Sequence, residues 1–312
     1  KYYDSKSQHV LYAQSILKTV GSVADPVVNS ASISNKGVEF TATWRDKISK
    51  DWSYNVSLNL SHNDNKLTGL GYGATSYDSG TTLSKVGHPI GLFYLVKTDG
   101  LYQTDEEAKK DGLINNATAG DIKYIDANGD GTISQSDRQL LTNKSPWPKL
   151  EASLNIVANY KNWSAQIFGF GQFFKWVYNG VRATTDVLSS QTQIRKAYYN
   201  HIWSETNKSN NVWYPRTAWG YTYNDIFYSD RWLERGDFFK FSTIALSYNY
   251  RAKGVLAHVF ESARISLTMQ NMLCLTSYTG YDPDFSAGMF TPGNSSAVGT
   301  PRSFIFGLNV NF

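Results

Sequence analysis

The last ten residues of the chain alternate between apolar and polar positions. Five apolar side chains share one parity: Phe304, Phe306, Leu308, Val310 and Phe312. The other parity is small or polar except at Ile305. Because successive side chains of a β-strand point to opposite faces, this pattern predicts a strand with one apolar face and one polar face. Such a strand fits either a membrane β-barrel, between lipid and a water-filled lumen, or a soluble β-sandwich.

Further segments repeat this alternation in pairs, and the pairs are typical of antiparallel hairpins. The paired segments are 38–44 with 52–61, 150–160 with 163–174, and 239–250 with 263–272. Segments 2–17 and 91–97 show the pattern more weakly, so the chain is expected to hold about seven to nine strands. In segment 52–61 the polar parity consists of serine and asparagine. That composition suits a water-filled lumen better than a soluble surface rich in lysine and glutamate.

Long polar segments separate the hairpins. They cover roughly residues 62–90, 98–148, 175–238 and 273–302, whereas the turns within the hairpins are short. Outer-membrane barrels show this asymmetry, with short turns on the periplasmic side and long extracellular loops. Structureless loops of this length are uncommon in compact soluble domains. One short helix is predicted on the second long segment, because Thr104 and Glu107 form a capping box and Gly112 can end the helix.

Composition favours the barrel. Aromatic residues make up 15% of the 312 residues, as the aromatic girdles of outer-membrane barrels require. The mean hydropathy is −0.40, and no apolar run reaches the length of a transmembrane helix. The net charge of +4 comes without a basic cluster, so the sequence predicts no nucleic-acid partner. Cys274, the only cysteine, can form no internal disulfide.

An open sheet of this size cannot sit in lipid, because the amides of its edge strands would lack partners. Either a small barrel closes within the chain or further strands come from elsewhere. The chain begins at Lys1, without a methionine or a signal peptide, which indicates a processed chain or a fragment.

Several local motifs occur in a consistent order along the chain. They are Asn35-Lys36-Gly37-Val38-Glu39, Val86-Gly87-His88-Pro89-Ile90-Gly91, Lys97-Thr98-Asp99-Gly100-Leu101-Tyr102, Gly120-Asp121-Ile122-Lys123-Tyr124, Asp126-Ala127-Asn128-Gly129-Asp130-Gly131, Gln270-Asn271, Gly280-Tyr281-Asp282-Pro283-Asp284 and the terminal Phe312. In order and spacing they resemble the C-terminal part of SusC-like (RagA-like), TonB-dependent outer-membrane transporters of Bacteroidetes. The resemblance extends over essentially the whole chain.

This resemblance implies a fold and a function. The fold is all-β, with residues 1–312 as the C-terminal section of a transmembrane antiparallel barrel of roughly 22 strands with a plugged lumen and long extracellular loops. The plug domain and the early strands would lie outside this chain. The implied function is import of oligosaccharides across the outer membrane, together with a SusD-like surface lipoprotein and TonB. Some members of the family import oligopeptides instead.

The segment from Asp126 to Asp137 follows the spacing of a calcium-binding loop. Its expected ligands are the side chains of Asp126, Asn128, Asp130 and Asp137 and the main-chain carbonyl of Thr132. Ca²⁺ prefers several oxygen ligands at once, which accounts for the crowding of acids. We expect a structural Ca²⁺ here; the alternative is a polar turn without metal. The extended residues upstream argue against a paired EF-hand.

Aromatic residues concentrate in the segment 213–232. Five of them are candidates for substrate contact: Trp213, Trp219, Tyr221, Tyr223 and Trp232. Aromatic faces stack on sugar rings and also cover peptide side chains. Packing of loop against loop is the favoured interpretation of this segment, and substrate binding is the other.

Nothing in the sequence predicts an enzyme, since it contains no nucleophile elbow, no His-Glu-x-x-His and no P-loop. Two other classes stay open at this point. One is a passive outer-membrane channel without TonB coupling, and the other is a soluble, calcium-binding extracellular β-sandwich.

Overall fold

One antiparallel sheet of eight long strands, called the frame below, organises the chain. The computed structural model describes residues 1–14, 26–185, 201–210, 212, 214–216, 228–285, 288–289, 294–295 and 299–312. The frame strands are β1 (Tyr2–Ala13), β2 (Val27–Lys47), β3 (Trp52–Gly69), β10 (Leu150–Tyr160), β11 (Trp163–Phe173), β14 (Phe238–Arg251), β15 (Ser262–Thr276) and β17 (Ser303–Asn311). All three predicted hairpins and the terminal strand are confirmed.

Each frame strand pairs with the frame strands that come just before and just after it along the chain, as in an up-and-down barrel. In the part of the chain that the structure describes, β1 pairs only with β2, and β17 pairs only with β15. The frame is therefore an open section of a transmembrane antiparallel barrel. The soluble β-sandwich alternative is wrong, because among the described residues the apolar face of the frame is exposed and no second sheet packs on it.

The register of the frame aligns apolar side chains into rows across the strands. One row joins Trp44, Val56, Ile156, Ile167, Ile244, Met269 and Phe304 through directly paired positions. The row on the opposite face joins Thr43, Ser57, Asn155, Phe168, Thr243, Gln270 and Ser303. A one-residue slip would turn every lipid-facing side chain toward the lumen, so the two faces fix the register.

The apolar face has the height of a membrane. On β3 it runs from Trp52 to Leu60. Nine residues at about 3.4 Å each extend ~30 Å, which a strand tilt of about 40° reduces to roughly 23 Å, close to the ~25 Å apolar band of outer-membrane barrels. At the end with the short turns, a row of paired aromatic residues borders this face: Trp52, Tyr160, Trp163 and Tyr248. We call it the aromatic row.

At the other end, the long connections fold into small sheets and two helices. The connection from β3 to β10 contains β4 (Ser76–Asp78), β5 (Thr82–Lys85), β6 (Leu92–Val96), β7 (Thr98–Leu101), α1 (Asp105–Asp111), β8 (Ile122–Tyr124) and β9 (Arg138–Leu140). The connection from β11 to β14 contains β12 (Trp176–Asn179), α2 (Gly180–Thr185) and β13 (Leu233–Arg235), and β16 (Asn294–Ser295) pairs with β12. Short 3₁₀ turns occupy Gln135–Asp137, Asp230–Trp232 and Gly254–His258. The weak strand predicted at 91–97 is thus β6, outside the frame.

The described parts of connections 70–149 and 174–237, called the loop cap below, enclose the main hydrophobic core. Phe93, Leu95, Tyr102, Tyr124 and Trp232 are among its fully buried side chains. The core therefore lies beyond the lipid-facing frame, where the chain has water on its outside and needs to bury apolar area. No helix of the described residues is long and apolar enough to span a membrane.

The predicted helix α1 is confirmed, with one difference in its cap. The Thr104 hydroxyl accepts from the Glu107 main-chain N–H over 3.1 Å. The Glu107 carboxylate accepts from the N–H of Gln103, one residue before the expected donor. Gly112 ends the helix in the left-handed conformation.

Candidate functional site

The polar face of the frame consists largely of hydroxyl and amide side chains bonded across strands. The Thr41 hydroxyl donates to the Asn59 side-chain oxygen over 2.8 Å, and the Asn59 amide donates to Ser153 over 3.1 Å. Beside them, the Gln172 amide donates to the Glu151 carboxylate over 2.7 Å. This wall offers a solute in the lumen many donors and acceptors but few full charges.

A cavity of about 400 Å³ opens on this face between β2, β3, β10 and β11. Two carboxylates, Glu39 and Glu151, line it, and Ser61 lies between them in the register of the sheet. Phe170 adds an aromatic ring to the lining. A cavity of this size can hold a small solute, and this lining suits one that donates hydroxyl or ammonium hydrogens.

Trp232 lies inside the loop cap. Its ring is 1% exposed, and the Arg182 guanidinium lies 5.6 Å from the ring centroid. This placement agrees with the packing interpretation of the aromatic segment. The other four predicted substrate contacts, Trp213, Trp219, Tyr221 and Tyr223, lie outside the described residues, so their role stays a prediction.

The Asp126–Asp137 loop is closed by hydrogen bonds to its own main chain. The Asp126 carboxylate accepts from the N–H groups of Gly129 and Gly131 over 2.7 and 2.9 Å. Asp130 accepts from the main chain and hydroxyl of Thr132, and these bonds lower the pKa of Asp130.

The last predicted ligand, Asp137, is buried at the end of the same loop. Its carboxylate accepts from the N–H groups of Ala127 and Ser134 over 3.0 and 2.7 Å. Among the described residues, no three His, Cys, Asp or Glu side chains are grouped as a metal site. The predicted ligands Asp126, Asn128, Asp130, Thr132 and Asp137 thus share one loop, and metal binding there stays a prediction.

A buried ion cluster joins the β15–β17 connection to the wall of the frame. The Lys240 ammonium, on β14, contacts the carboxylates of Asp282 and Asp284 at 3.0 and 2.9 Å. Asp282 also accepts from the Thr300 hydroxyl over 2.6 Å. Although burial acts in the opposite direction, hydrogen bonds from Thr300, Asp284 and Lys240 lower the pKa of Asp282. The Gly280–Asp284 motif therefore has a structural task, which is to hold this connection against the wall.

Lys175 lies beside this cluster and completes the attachment. Its ammonium donates to the Gln172 side chain over 2.6 Å and to the Pro283 carbonyl over 3.0 Å. Burial lowers its pKa from 10.5 to about 8, although the carboxylates of Asp284 and Glu151 act in the opposite direction. Sequence reasoning missed Lys175 and Lys240. The one local signal was a lysine within Phe238-Phe239-Lys240-Phe241, on a strand where a cation needs a partner.

Two further ion pairs hold the loop cap together. Arg182 contacts Glu234 at 2.7 Å with both side chains largely buried. Arg216 contacts Asp121 at 2.7 Å, and Asp121 is fully buried. Each pair joins two segments that lie far apart in the sequence. Because Arg182, Glu234 and Asp121 are largely buried, removing the partner of any one of them would leave a buried charge unpaired.

Comparison with known proteins gives matches along the whole chain. It is 28% identical over 326 residues to the TonB-dependent receptor P26 of Formosa agariphila, covering 100% of this chain and 32% of that protein. It is 24% identical over 332 residues to the TonB-dependent receptor SusC of Bacteroides thetaiotaomicron, covering 99% of this chain and 29% of that protein. The solved structure of the RagAB peptide transporter matches with a TM-score of 0.77 and 20% identity, covering 100% of this chain and 33% of that one.

The resemblance to SusC-like TonB-dependent receptors is confirmed. The chain spans about a third of the length of the curated relatives that it matches. No family model matches the chain. In this SusC-like barrel section, the frame supplies the wall, its polar face lines the lumen, and the loop cap rises from the long-connection end.

Proposed function

We propose that this chain forms the C-terminal wall of a TonB-dependent outer-membrane importer of oligosaccharides. The observation that carries the proposal is the match to TonB-dependent receptors over the whole chain, joined to a frame that is apolar outside and polar inside. In this proposal the short turns face the periplasm and the loop cap faces the exterior. The plug domain belongs to the same transporter and fills the lumen. A SusD-like lipoprotein closes over the cap, and TonB draws on the plug.

The lumen wall supports an oligosaccharide as substrate. Hydroxyl and amide groups such as Thr41, Asn59 and Ser153 can exchange hydrogen bonds with sugar hydroxyls as a solute passes. Oligopeptides are the second candidate. The observation that favours them is the structural match to RagAB, which is described as a peptide transporter.

The chain serves transport and carries out no chemical step in this proposal. Its residues line the lumen, seal the barrel against lipid and orient the solute. The energy for uphill import reaches the barrel through TonB. A passive channel is the competing function. It would need no coupling partner and would let its solute equilibrate across the membrane.

Native mass spectrometry of the full transporter, purified from outer membranes, separates the two substrates. A lipoprotein partner together with bound masses in steps of one sugar residue would support the oligosaccharide importer. Irregular steps that match amino-acid residue masses would show that the substrates are oligopeptides and not oligosaccharides.

Uptake in whole cells tests the coupling. Cells that carry the full transporter should accumulate the captured solute, and cells without TonB should not. Accumulation that continues unchanged without TonB would contradict the importer and support the passive channel. A strain lacking the full transporter provides the background for both measurements.

We also propose that the Asp126–Asp137 loop binds one structural Ca²⁺. Its support is the oxygen-rich spacing of Asp126, Asn128, Asp130, Thr132 and Asp137. The main-chain bonds described above close the loop without metal, so Ca²⁺ would have to compete with them. A weak site of the extracellular type is consistent with that competition.

A further inference from the structure

The turn between β14 and β15 exposes apolar side chains at the short-turn end of the frame. In the 3₁₀ segment Gly254–His258 and just after it, Val255 is 83% exposed, Leu256 46% and Val259 61%. Two basic residues, Arg251 and Lys253, precede them. Surface apolar groups this close together, flanked by cations, are typical of a segment that lies in a membrane interface.

The turn between β2 and β3 repeats this chemistry in a shorter form. Ile48 is 70% exposed and lies between Lys47 and Lys50. The third short turn, Lys161–Asn162, has a lysine but no apolar residue. Residues 45–51, 161–162 and 251–261 together hold six basic and three acidic side chains. Within the described part of the chain, Lys50 and Lys253 contact no carboxylate.

These turns continue directly from the lipid-facing surface. Tyr248 belongs to the aromatic row, and Tyr250 follows it on the same face of β14. The Phe260 ring, at the end of the turn, lies 6.3 Å from the Tyr250 ring. Aromatic belts sit at the level of the lipid headgroups. The exposed valines therefore lie next to the boundary between headgroups and acyl chains.

We propose that the β14–β15 turn, assisted by the β2–β3 turn, is a phospholipid-binding anchor at the short-turn rim. Val255, Leu256 and Val259 enter the upper acyl region. The ammonium of Lys253 and the guanidinium of Arg251 donate hydrogen bonds to headgroup phosphates. Long basic side chains can reach the phosphates while their methylene stems cover apolar surface. Each cation near an anionic leaflet adds attraction, so the anchor should prefer anionic over zwitterionic phospholipids.

This anchor goes beyond the proposed transport function and depends only on the barrel lying in a bilayer. Insertion of the apolar residues of the anchor can be tested by measuring how deeply a spin label lies in the bilayer. The full transporter is used, in nanodiscs of phosphatidylethanolamine and phosphatidylglycerol. A spin label is placed by Val255→Cys in a background in which Cys274 and every other cysteine of the full transporter are replaced by serine. Asn162→Cys, on the turn without apolar residues, is the matched control. Both positions are at turns, so both variants should assemble.

We expect oxygen to relax the Val255 label more strongly than a water-soluble nickel chelate does, and the order to be reversed at Asn162. Equal nickel access at both positions would overturn the proposal. Protection of the Val255 label in whole outer membranes but not in nanodiscs would also overturn it, because a protein partner would then cover the turn.

Headgroup binding by the basic residues of the anchor is tested by native mass spectrometry, which counts phosphatidylglycerol molecules bound to the full transporter after this lipid is added. The double variant Arg251→Gln, Lys253→Gln should retain several-fold fewer phosphatidylglycerol adducts than wild type. The control pair Lys109→Gln, Lys110→Gln lies on the exposed helix α1 at the opposite end and should leave the adducts unchanged. If both double variants lose phosphatidylglycerol adducts equally, or if neither loses any, the proposal of a specific headgroup site is overturned. Since neither measurement involves uptake, failure here is distinct from failure of the importer.

Discussion

At the residue scale, Trp232 separates the two interpretations of the aromatic segment. Trp232→Ala removes a buried ring from the loop cap, and such losses typically cost about 3–5 kcal/mol. We expect the cap to become sensitive to protease while the frame remains assembled. Limited proteolysis of the full transporter in detergent measures this. Tyr281→Ala, which removes a 72% exposed ring, is the control and should leave cleavage unchanged. A variant that resists protease but loses uptake would favour a substrate contact instead.

Lys175 gives a pH dependence of defined sign. Its pKa is about 8 in the folded chain and 10.5 in the unfolded chain, so between these values the unfolded state binds more protons. Stability contributed by this residue therefore rises with pH across that window, by at most roughly 3 kcal/mol. Thermal melts of wild type and Lys175→Met should differ by an amount that changes between pH 8 and 10.5.

Lys109→Met, on the exposed face of α1, controls for general alkaline effects and should follow wild type at every pH. If Lys175→Met also follows wild type throughout, Lys175 titrates as an ordinary exposed lysine and the burial argument fails.

At the scale of elements, the Asp126–Asp137 loop yields a metal prediction. Ca²⁺ at ten times its Kd should stabilise the folded loop cap by about 1.4 kcal/mol, and so raise its melting temperature above the value measured in a chelator. The double variant Asp126→Asn, Asp130→Asn keeps oxygen acceptors for the loop amides but loses two charges. It should lose the response to Ca²⁺. If wild type melts identically in Ca²⁺ and in chelator, the loop is a polar turn without metal.

The elements also show what could be predicted from sequence. The frame strands could be located because one face meets lipid and the other meets water, which imposes a period of two on residues such as Phe304 to Phe312. In the loop cap, only α1, from its capping box, and β6, as a weak strand, could be predicted. A strand such as β12 could not, because it is four residues long and buried on both faces, which leaves no alternation in the sequence. Lys240 and Trp232 are surrounded by partners that lie tens of residues away in the sequence, so the sequence next to them does not reveal those contacts.

At the scale of the whole molecule, the terminal strand holds one edge of the frame. Deleting Phe304 to Phe312 removes the partner of β15 and exposes its amides within the lipid layer, where unpaired amides cost several kcal/mol each. We expect the full transporter to fail to assemble, measured as its surface level in outer-membrane fractions. Asn309→Ala, on the polar face of β17, should assemble normally. Normal surface levels of the deletion variant would contradict this prediction.

The short turns have a consequence for how the sequence of the molecule can evolve. Because β2 with β3, β10 with β11, and β14 with β15 are joined by only 4, 2 and 10 residues, the pairing within each hairpin is set by strands that are neighbours in the sequence. The entropy cost of closing a connection grows only by about 0.6 kcal/mol for each doubling of its length. The long connections can therefore lengthen, shorten and diverge while the hairpins keep their register. Such a molecule can acquire new surface chemistry at its cap without redesigning the wall that carries it.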